Sequence, residues 1–449
     1  MTGHRLPRRA FLQTAAATLA ASTGWRHATA QPRPAPSERI TVAAIGLGER
    51  GFAVLNEFLA EPDVQVVFVC DVHDLHYRER EWGKGKALGR KPAAELVQGH
   101  YAAQTKSGLY RGCQAEADFQ ELLTRNDRVD AVLVATPDHW HALITLALLR
   151  SGHDVYCEKP VTHLFAEGQQ VYREVAERKA ILQVGSQQRS DPLFRQAVEL
   201  VRNGHIGKVQ KVEVGLPPGY SKPMGDPAVL AVPDGLDYHQ WCGPSPVLPY
   251  TKARHHRWWR GNTAYGGGVL MDFIGHHNDI AHWGLDQEAG GPTRVEAVGW
   301  TFPDTPVYDT PAVYNIRCEY PNGVTSTISS ELPTGVKFLG ETGWVYVTRG
   351  KISCSDKRWE DPKFVRGDWH AYLSPGHVRN FVDGVKTRKA CVAPAENAHR
   401  AITPGHLAYV SQTLGKPLKW DAKTETIVGD ADAQRRLMAV TYRSPWTLT

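Results

Sequence analysis

The sequence lacks any run of about 20 apolar residues, the length that a membrane-spanning helix needs, so we expect no membrane span. A strong charge of one sign is also missing, since 52 Lys and Arg residues stand against 47 Asp and Glu residues. Residues 1–30 carry four arginines and no acids, so the formal charge of +5 falls to +1 without them. Such a balance gives no basis for electrostatic binding of nucleic acid, and no nucleic-acid partner is expected.

Cysteine pairs at metal-binding spacing are absent too. The seven cysteines are scattered and odd in number, so we expect buried free thiols rather than a zinc site or a disulfide framework. They are Cys70, Cys113, Cys157, Cys242, Cys318, Cys354 and Cys391.

The first thirty residues resemble a twin-arginine export signal. Arg8 and Arg9 precede the apolar pair Phe11-Leu12, an Ala-rich core follows, and Ala28-Thr29-Ala30 is a small-x-small cleavage site. A membrane anchor is the alternative, but the apolar run is much shorter than the ~20 residues of a span. We therefore expect the twin-arginine machinery to export the folded protein to the periplasm.

The region 40–71 predicts a nucleotide-binding β-α-β unit. The apolar strand 41–45 leads into Gly46-Leu47-Gly48-Glu49-Arg50-Gly51, which matches G-x-G-x-x-G. In this motif the first glycine permits a tight turn, the second lets the backbone approach a pyrophosphate, and the third lets helix and strand pack closely. The helix predicted at 52–59 would direct its N-terminal amides at the phosphates.

A second predicted strand, 64–70, ends at Asp71, 20 residues after the last glycine. A carboxylate at about this interval meets the adenosine ribose diol, which favours NAD. Arg50, Arg78 and Arg80 are close in sequence and leave NADP open. A glycine-rich turn without a ligand is the structural alternative, but strand, turn, helix, strand and acid follow in the order that dinucleotide binding requires.

Two later loops are predicted at the carboxyl edge of the same sheet, where doubly wound folds bind ligands. One begins at Thr136-Pro137 and continues to Trp140 and His141, with Asp138 predicted to cap the next helix. For Trp140 and His141, core packing or capping is as compatible as a cofactor contact. The other loop, Glu158-Lys159-Pro160, places a charged pair at the end of an interior strand, which indicates a site rather than a solvated turn.

Together, Gly46–Gly51, Asp71, the loop from Thr136 to His141 and Glu158-Lys159-Pro160 resemble the Gfo/Idh/MocA family of sugar dehydrogenases. That family includes inositol dehydrogenases and glucose-fructose oxidoreductase. The resemblance spans almost the whole chain after the export signal.

The resemblance implies an α/β architecture of two domains. A Rossmann NAD-binding domain with a doubly wound parallel sheet is expected at 39–190. An α+β substrate domain with a large, open, mostly antiparallel sheet is expected at 191–449, after a signal peptide at 1–30 and a linker at 31–38. The C-terminal sheet is the surface through which we expect a homo-oligomer.

The resemblance also implies roles for individual residues. Lys159 would contact both the nicotinamide ribose and the reacting hydroxyl, Glu158 would hold the ribose, and His276 of the D-x-x-x-H pair Asp272/His276 would be the general base. The cofactor-binding candidates are Gly46, Gly48, Arg50, Gly51, Asp71, Thr136, Pro137, Trp140, His141, Glu158 and Lys159. The substrate candidates are Gln188, Arg189, Trp258 and Trp259, for which structural roles are a comparable alternative.

The chemistry explains these roles. Oxidation of a secondary alcohol removes the hydroxyl proton as hydride leaves carbon, and a histidine with an ordinary pKa near ~6.5 accepts that proton at neutral pH. Lys159 would stabilise the developing alkoxide, and Asp272 would orient His276 or bind a neighbouring hydroxyl. An i, i+4 Asp/His pair gives only two metal ligands, so no metal is expected. The residues that would complete a metal site are His255, His256, His277 and Asp279.

These features predict a periplasmic NAD-dependent oxidoreductase acting on a sugar, a sugar acid or a cyclitol. Because nucleotide cofactors are not freely available outside the cytoplasm, we expect a tightly held cofactor that each turnover returns to its starting state. The alternative is a redox-neutral glycosidase that oxidises a ring carbon, eliminates the aglycone, adds water and reduces again. Related enzymes of that kind that carry an apolar residue in place of the lysine are its nearest precedent, so Lys159 favours a dehydrogenase. A binding protein that uses NAD only structurally is disfavoured by Lys159, Asp272 and His276.

Overall fold

The computed structural model describes residues 34–35, 38–79 and 83–448. The predicted signal peptide, most of the predicted linker and Arg80 lie outside these residues. The chain forms two units, 1–39 and 40–449, and every element below belongs to the second. No helix in the described part of the chain is long and apolar enough to cross a bilayer.

The N-terminal part is built on a parallel sheet of six strands. Their spatial order is β5-β2-β1-β6-β7-β8. Strands β2 and β5 lie on one side of β1, and the later strands β6, β7 and β8 lie on the other side. The strands are β1 (Ile40–Ile45), β2 (Val64–Cys70), β5 (Gln114–Glu116), β6 (Ala131–Val134), β7 (Asp154–Cys157) and β8 (Leu182–Val184); β3 (His76–Tyr77) and β4 (Ala87–Leu88) form a separate hairpin.

Five helices accompany this sheet. They are α1 (Glu49–Ala60), α2 (Arg90–Ala102), α3 (Gln120–Leu123), α4 (Asp138–Arg150) and α5 (Phe165–Arg178). Helix α1 begins inside the glycine motif, with Gly48 as its N-cap, and so starts three residues before the prediction. Its buried face, which includes Phe52, Leu55 and Phe58, packs against the sheet.

The C-terminal part is built on a nine-stranded sheet. Its order is β15-β14-β13-β9-β12-β11-β10-β16-β17, antiparallel except for the parallel pair β9 and β12. The strands are β9 (Val209–Gly215), β10 (Arg294–Thr301), β11 (Val313–Glu319), β12 (Thr325–Ser329), β13 (Gly335–Gly340), β14 (Trp344–Thr348), β15 (Lys351–Cys354), β16 (Leu418–Asp421) and β17 (Thr426–Ile427). The predicted fold class is therefore confirmed.

Helices cover one face of this second sheet. The helices of the C-terminal part are α6 (Pro192–Arg202), α7 (Tyr238–Cys242), α8 (Gly268–Leu285), α9 (His377–Thr387), α10 (Ala395–Leu414) and α11 (Ala431–Leu437). Helix α8 is buried almost throughout, between the sheet and α10. Because α8 is packed on both sides, its backbone holds the predicted pair Asp272 and His276 in a defined position.

Helix α9 returns to the N-terminal sheet. Phe381 packs edge-on against Phe58 and Tyr156, at ring-centroid distances of 6.0 and 5.7 Å. Arg379 of α9 is ion-paired with Asp63, at 2.7 Å. The chain beyond residue 190 thus completes the core of the N-terminal sheet. All seven cysteines are buried and unpaired, as predicted.

Candidate functional site

A cavity of about 980 Å³ lies at the carboxyl edge of the parallel sheet, with residues 240–276 forming much of its opposite wall. Its volume is at the upper end of the roughly 300–1,000 Å³ that small-molecule sites span. The cavity is lined by Lys159, Asp272 and His276, by every predicted cofactor contact except Gly51, and by Gln188, Trp258 and Trp259. Residues far apart in sequence therefore meet at one site.

The glycine turn leaves room for a phosphate at one position only. A Cβ on Gly46, whose φ is +85°, would lie 2.5 Å from the Thr136 amide nitrogen, and one on Gly51 would lie 1.9 Å from the Gly46 carbonyl oxygen. A Cβ on Gly48 would meet no atom of the described residues within 4 Å. The backbone is thus tightly packed behind the turn and open at Gly48 on the cavity side, as a dinucleotide pyrophosphate requires.

Asp71 is held in place at the end of β2. Its Oδ2 accepts a hydrogen bond from the Leu47 amide at 2.6 Å and its Oδ1 accepts one from the His73 amide at 2.8 Å. Burial raises the pKa of Asp71, and these two amides act against that rise. Because a carboxylate oxygen accepts more than one hydrogen bond, the group can still receive a ribose diol.

Glu158 links the glycine turn to the end of β7. Its Oε1 accepts from Arg50 Nε at 2.8 Å and from Gln187 Nε2 at 2.9 Å. A Cβ on Gly185 would lie 2.5 Å from the same oxygen, so the carboxylate needs a glycine beneath it. Sequence reasoning missed Gln187 and Gly185 as partners of Glu158, because neither residue type signals such a contact.

Lys159 and Asp272 form a buried ion pair across the cavity. Lys159 Nζ contacts Asp272 Oδ1 and donates to the Asp272 carbonyl oxygen at 2.8 Å. Arg260 Nε lies 3.0 Å from the same Oδ1. Burial alone would raise the pKa of Asp272, but the charges of Arg260 and Lys159 outweigh it and hold the pKa below its ordinary value. Asp272 is therefore a fixed anion that positions the lysine.

His276 lies one turn further along α8 and is 5% exposed. Its Nδ1 is buried without a hydrogen-bond partner among the described residues. Burial, reinforced by the positive charge of Lys159, holds the pKa of His276 well below its ordinary value. The imidazole is therefore neutral over the physiological range, and it is a weaker base than a histidine with the ordinary pKa near ~6.5.

Asp138 differs from its predicted role as a helix cap. Pro137 is the N-cap of α4, and neither oxygen of the Asp138 carboxyl group has a hydrogen-bond partner within the described chain. Burial raises its pKa to about 8; the charge of Arg260 lowers it and that of Asp272 raises it. The site therefore contains a carboxyl group that is protonated at neutral pH, which sequence reasoning missed.

Trp140 and His141 hold loops together at the wall of the cavity. His141 contacts the Pro160 carbonyl oxygen through Nδ1 at 2.6 Å and the Thr136 carbonyl oxygen through Nε2 at 2.9 Å. Trp140 Nε1 donates to the Gln240 carbonyl oxygen at 3.0 Å. His141 thus ties the two predicted loops to each other, with both ring nitrogens engaged.

The substrate candidates separate into two groups. Gln188 lines the cavity, and both polar atoms of its side chain lack a partner in the described part of the chain. Trp258 is half-buried, whereas Trp259 is buried with the Arg260 guanidinium 4.1 Å from its ring centre. Arg189 does not line the cavity.

Arg189 has a structural position instead of the predicted substrate contact. Its guanidinium binds Asp279 through Nε at 2.6 Å and Nη2 at 2.7 Å, and Glu288 through Nη1 at 2.6 Å. Two residues of the alternative metal set are engaged elsewhere, Asp279 by Arg189 and His277 by the Gly215 carbonyl oxygen at 2.8 Å.

The parallel sheet, the glycine turn and the cavity are those of a nucleotide-binding fold joined to a second, mostly antiparallel sheet. Residues 195–448 match the model described as the oxidoreductase family C-terminal alpha/beta domain, and residues 86–186 match the oxidoreductase family NAD-binding Rossmann fold. The chain belongs to the Gfo/Idh/MocA oxidoreductase family. The prediction of NAD as cofactor is thereby confirmed.

Curated relatives match part of the chain. A glycosyl hydrolase family 109 protein of Saccharopolyspora erythraea is 35% identical over 171 residues, 34% of this chain and 33% of the relative. The inositol 2-dehydrogenase of Rhizobium meliloti is 30% identical over 206 residues, 46% of this chain and 48% of the relative. The chain thus spans between a third and a half of the length of these two relatives.

Solved structures share the fold over most of the chain. The WlbA dehydrogenase from Chromobactrium violaceum, in complex with NADH and UDP-GlcNAcA, covers 86% of this chain and 98% of its own, with a TM-score of 0.61 and 16% identity. At this identity the likeness establishes the architecture alone.

Proposed function

We propose that the protein is an NAD-dependent oxidoreductase that transfers hydride between a tightly held nicotinamide and a hydroxyl-bearing carbon of a sugar, sugar acid or cyclitol. The observation that carries the proposal is that Lys159, Asp272 and His276 face the cavity that the glycine turn opens onto. An ammonium group and a neutral imidazole beside a dinucleotide cradle suit the oxidation of an alcohol.

Side chains of the cavity have separate roles in this proposed reaction. When bound, NAD supplies the hydride acceptor and donor. The His276 imidazole, kept neutral by burial, takes the proton of the reacting hydroxyl. The Lys159 ammonium, fixed by Asp272, stabilises the negative charge that develops on the same oxygen. Glu158 and Asp71 hold the two riboses, and Gln188 and Trp258 contact the carbohydrate.

The test is turnover without added nicotinamide. The purified chain is incubated with free sugars, sugar acids or inositols and an external quinone acceptor, and acceptor reduction is followed. We expect reduction by the wild type and a loss of about 10²–10⁴-fold in His276→Gln. The matched control is His239→Gln, because His239 is exposed and outside the cavity. Wild-type turnover by His276→Gln would refute its role as base.

A second candidate is a redox-neutral glycosidase. Its support is the partial match to a glycosyl hydrolase family 109 protein. Aryl glycosides, incubated without added NAD or external acceptor, separate the two activities. Release of the aryl alcohol supports the glycosidase, whereas acceptor reduction on free sugars without such release supports the dehydrogenase.

We further propose that the protein acts in the periplasm after twin-arginine export. The support is the arginine pair, short apolar core and small-x-small site in residues 1–30. Replacing Arg8 and Arg9 by lysine should leave the precursor in the cytoplasm, as measured by cell fractionation. Unchanged export of that variant would contradict the route.

A further inference from the structure

Four histidines form a cluster on the wall of the same cavity that Lys159 and Asp272 line. The His76 and His256 rings lie 3.8 Å apart between centroids, and the His255 and His256 rings lie 3.7 Å apart. His73 lies 5.4 Å from His256 and 6.0 Å from His255 by the same measure. All four rings line the cavity.

The backbone brings these rings together from two distant segments. His73 follows the cofactor-binding Asp71 by two residues, and its main chain pairs with Leu236 in an isolated β-bridge. His255 and His256 are consecutive, and His256 has a φ of +51°. This left-handed conformation is uncommon for a residue with a Cβ, and it lets two neighbouring side chains face the same space.

Four ring nitrogens of the cluster lack hydrogen-bond partners within the described chain. The Nδ1 atoms of His73 and His76 and both ring nitrogens of His255 are buried without hydrogen-bond partners among the described residues. Buried polar atoms are normally paired, so such a group calls for an explanation. Imidazole nitrogens are common metal ligands, so a bound metal ion would supply the missing partners.

We propose that His73, His255 and His256 bind a divalent transition-metal ion on the wall of the cofactor cavity. One ring nitrogen from each of the three residues lies within 4.8 Å of the others, and small side-chain rotations would bring them to the spacing of three ligands about one ion. His76 stacks on His256 with ring planes 19° apart and holds that ring in place.

The donor set selects the metal. Three neutral nitrogen ligands without a carboxylate suit Zn²⁺, Co²⁺, Ni²⁺ or Cu²⁺ and do not suit Ca²⁺ or Mg²⁺, which bind oxygen. Three protein ligands leave a coordination position open, as in catalytic rather than structural zinc sites. Because the rings line the cavity, that position would accept an oxygen of the molecule bound there, a step that rests on the proposed function.

The first test measures the metal alone. The full chain, purified with a tag that contains no histidine and dialysed against chelator, is titrated with ZnCl₂ by calorimetry. We expect one equivalent to bind. Loss of one ligand in His73→Asn or His255→Asn should weaken binding beyond the roughly 10–100-fold that follows loss of a group that only orients a ligand.

His239→Asn is the matched control for this titration, because His239 is exposed and outside the cavity. NAD binding and melting temperature report whether each variant has folded. Absence of saturable binding by the wild type would overturn the proposal. Equal Zn²⁺ affinity in wild type, folded His73→Asn and folded His255→Asn would overturn it as well.

The second test asks whether an oxygen of the sugar binds at the open coordination position of the metal. Co²⁺ replaces Zn²⁺, and its visible absorption bands report coordination number and geometry. A change in these bands when a turned-over sugar is added supports oxygen coordination. Unchanged bands would refute that step while leaving metal binding, measured separately, in place; a failure of the proposed function would instead appear as absence of turnover.

Discussion

Lys159 enters the cavity from the loop after β7 and is held there by Asp272 of α8. Its neighbour Glu158 faces the glycine turn through Arg50. Two adjacent residues therefore serve the two ends of the cavity, one on the cofactor side and one on the side of α8. A substitution of Lys159 should therefore affect turnover and leave cofactor binding largely intact.

Lys159→Met should strongly reduce turnover while NAD remains bound. The substitution keeps most of the side-chain volume but removes the charge at the reacting oxygen, for which we expect a loss of about 10²–10³-fold in kcat. The readout is kcat together with the NAD content of the purified variant. Lys106→Met is the control, since Lys106 is exposed. Full activity of Lys159→Met would refute the assigned role.

Asp138→Asn should stabilise the protein at alkaline pH. The pKa of Asp138 is about 8 in the folded protein against 3.8 as its ordinary value, so the folded state binds the extra proton between these values. The free energy of unfolding therefore falls as pH rises through this window, and the neutral amide escapes that loss. Because each pKa unit corresponds to about 1.4 kcal/mol, we expect a gain on the order of 5 kcal/mol at pH 8.

Thermal melts of wild type and Asp138→Asn at pH 5, 6.5 and 8 check this. The difference in melting temperature should be small at pH 5 and grow steadily to pH 8. A difference that is constant or shrinks with pH would contradict a protonated Asp138.

At the scale of elements, two glycines of the turn between β1 and α1 have different roles. Gly51 is needed for packing, whereas Gly48 leaves space for the cofactor. Gly51→Ala places a Cβ 1.9 Å from the Gly46 carbonyl oxygen and should lower the melting temperature. Gly48→Ala meets no described atom within 4 Å, and Gly48 has an ordinary φ of −76°, so its fold should be kept. Its methyl group would occupy the space of the pyrophosphate.

After removal of bound nucleotide, we therefore expect Gly48→Ala to melt like the nucleotide-free wild type and to bind NAD at least about 10-fold more weakly, a difference of 1.4 kcal/mol or more. Calorimetric NAD titration and thermal melts measure the two properties. Wild-type NAD affinity in a folded Gly48→Ala would show that the pyrophosphate lies elsewhere.

Some elements could be predicted closely and others could not. Strand β2 has the predicted bounds because its apolar residues, interrupted only by Gln65, lie between Asp63 and Asp71. Helix α2 was not predicted, since its sequence contains Pro92 and Gly99 and only three of its residues are buried. Strand β13 was missed as well: Gly335 and Gly340 form its ends, and glycine is a weak strand former.

The candidate site shows the same contrast. Local motifs placed Gly48, Asp71 and Lys159 at the cavity, because each follows directly from the end of a parallel strand. The ion pairs of Arg189 and the pairing of His73 with His255 depend on contacts between distant segments. No spacing in a single sequence encodes such contacts, so sequence reasoning could not find them.

At the scale of the whole molecule, the nine-stranded sheet presents a polar face away from its helices. Lys211 and Glu213 are ion-paired on β9 at 2.9 Å, and Lys337 lies 4.8 Å from the ring centre of Trp344 on the neighbouring strands β13 and β14. We expect homo-oligomers through this face, measured by light scattering. Lys337→Glu should shift the molecules toward monomer, whereas Lys106→Glu should not. A monomeric wild type would refute the prediction.

The walls of the cavity predict that NAD stays bound through purification. Its walls come from both parts of the chain, because Asp71 and Glu158 follow strands of the parallel sheet while Trp258 and Asp272 belong to the later segment. A dinucleotide bound there would be enclosed from two sides, and its release would require the walls to separate. We expect close to one equivalent of NAD in protein purified without added nucleotide and dialysed extensively, measured by chromatography after acid release. Gly48→Ala, purified in parallel, should contain much less. A wild-type protein that is obtained empty and binds NAD only weakly would contradict retention and, with it, a cycle in which the same cofactor is reused at every turnover.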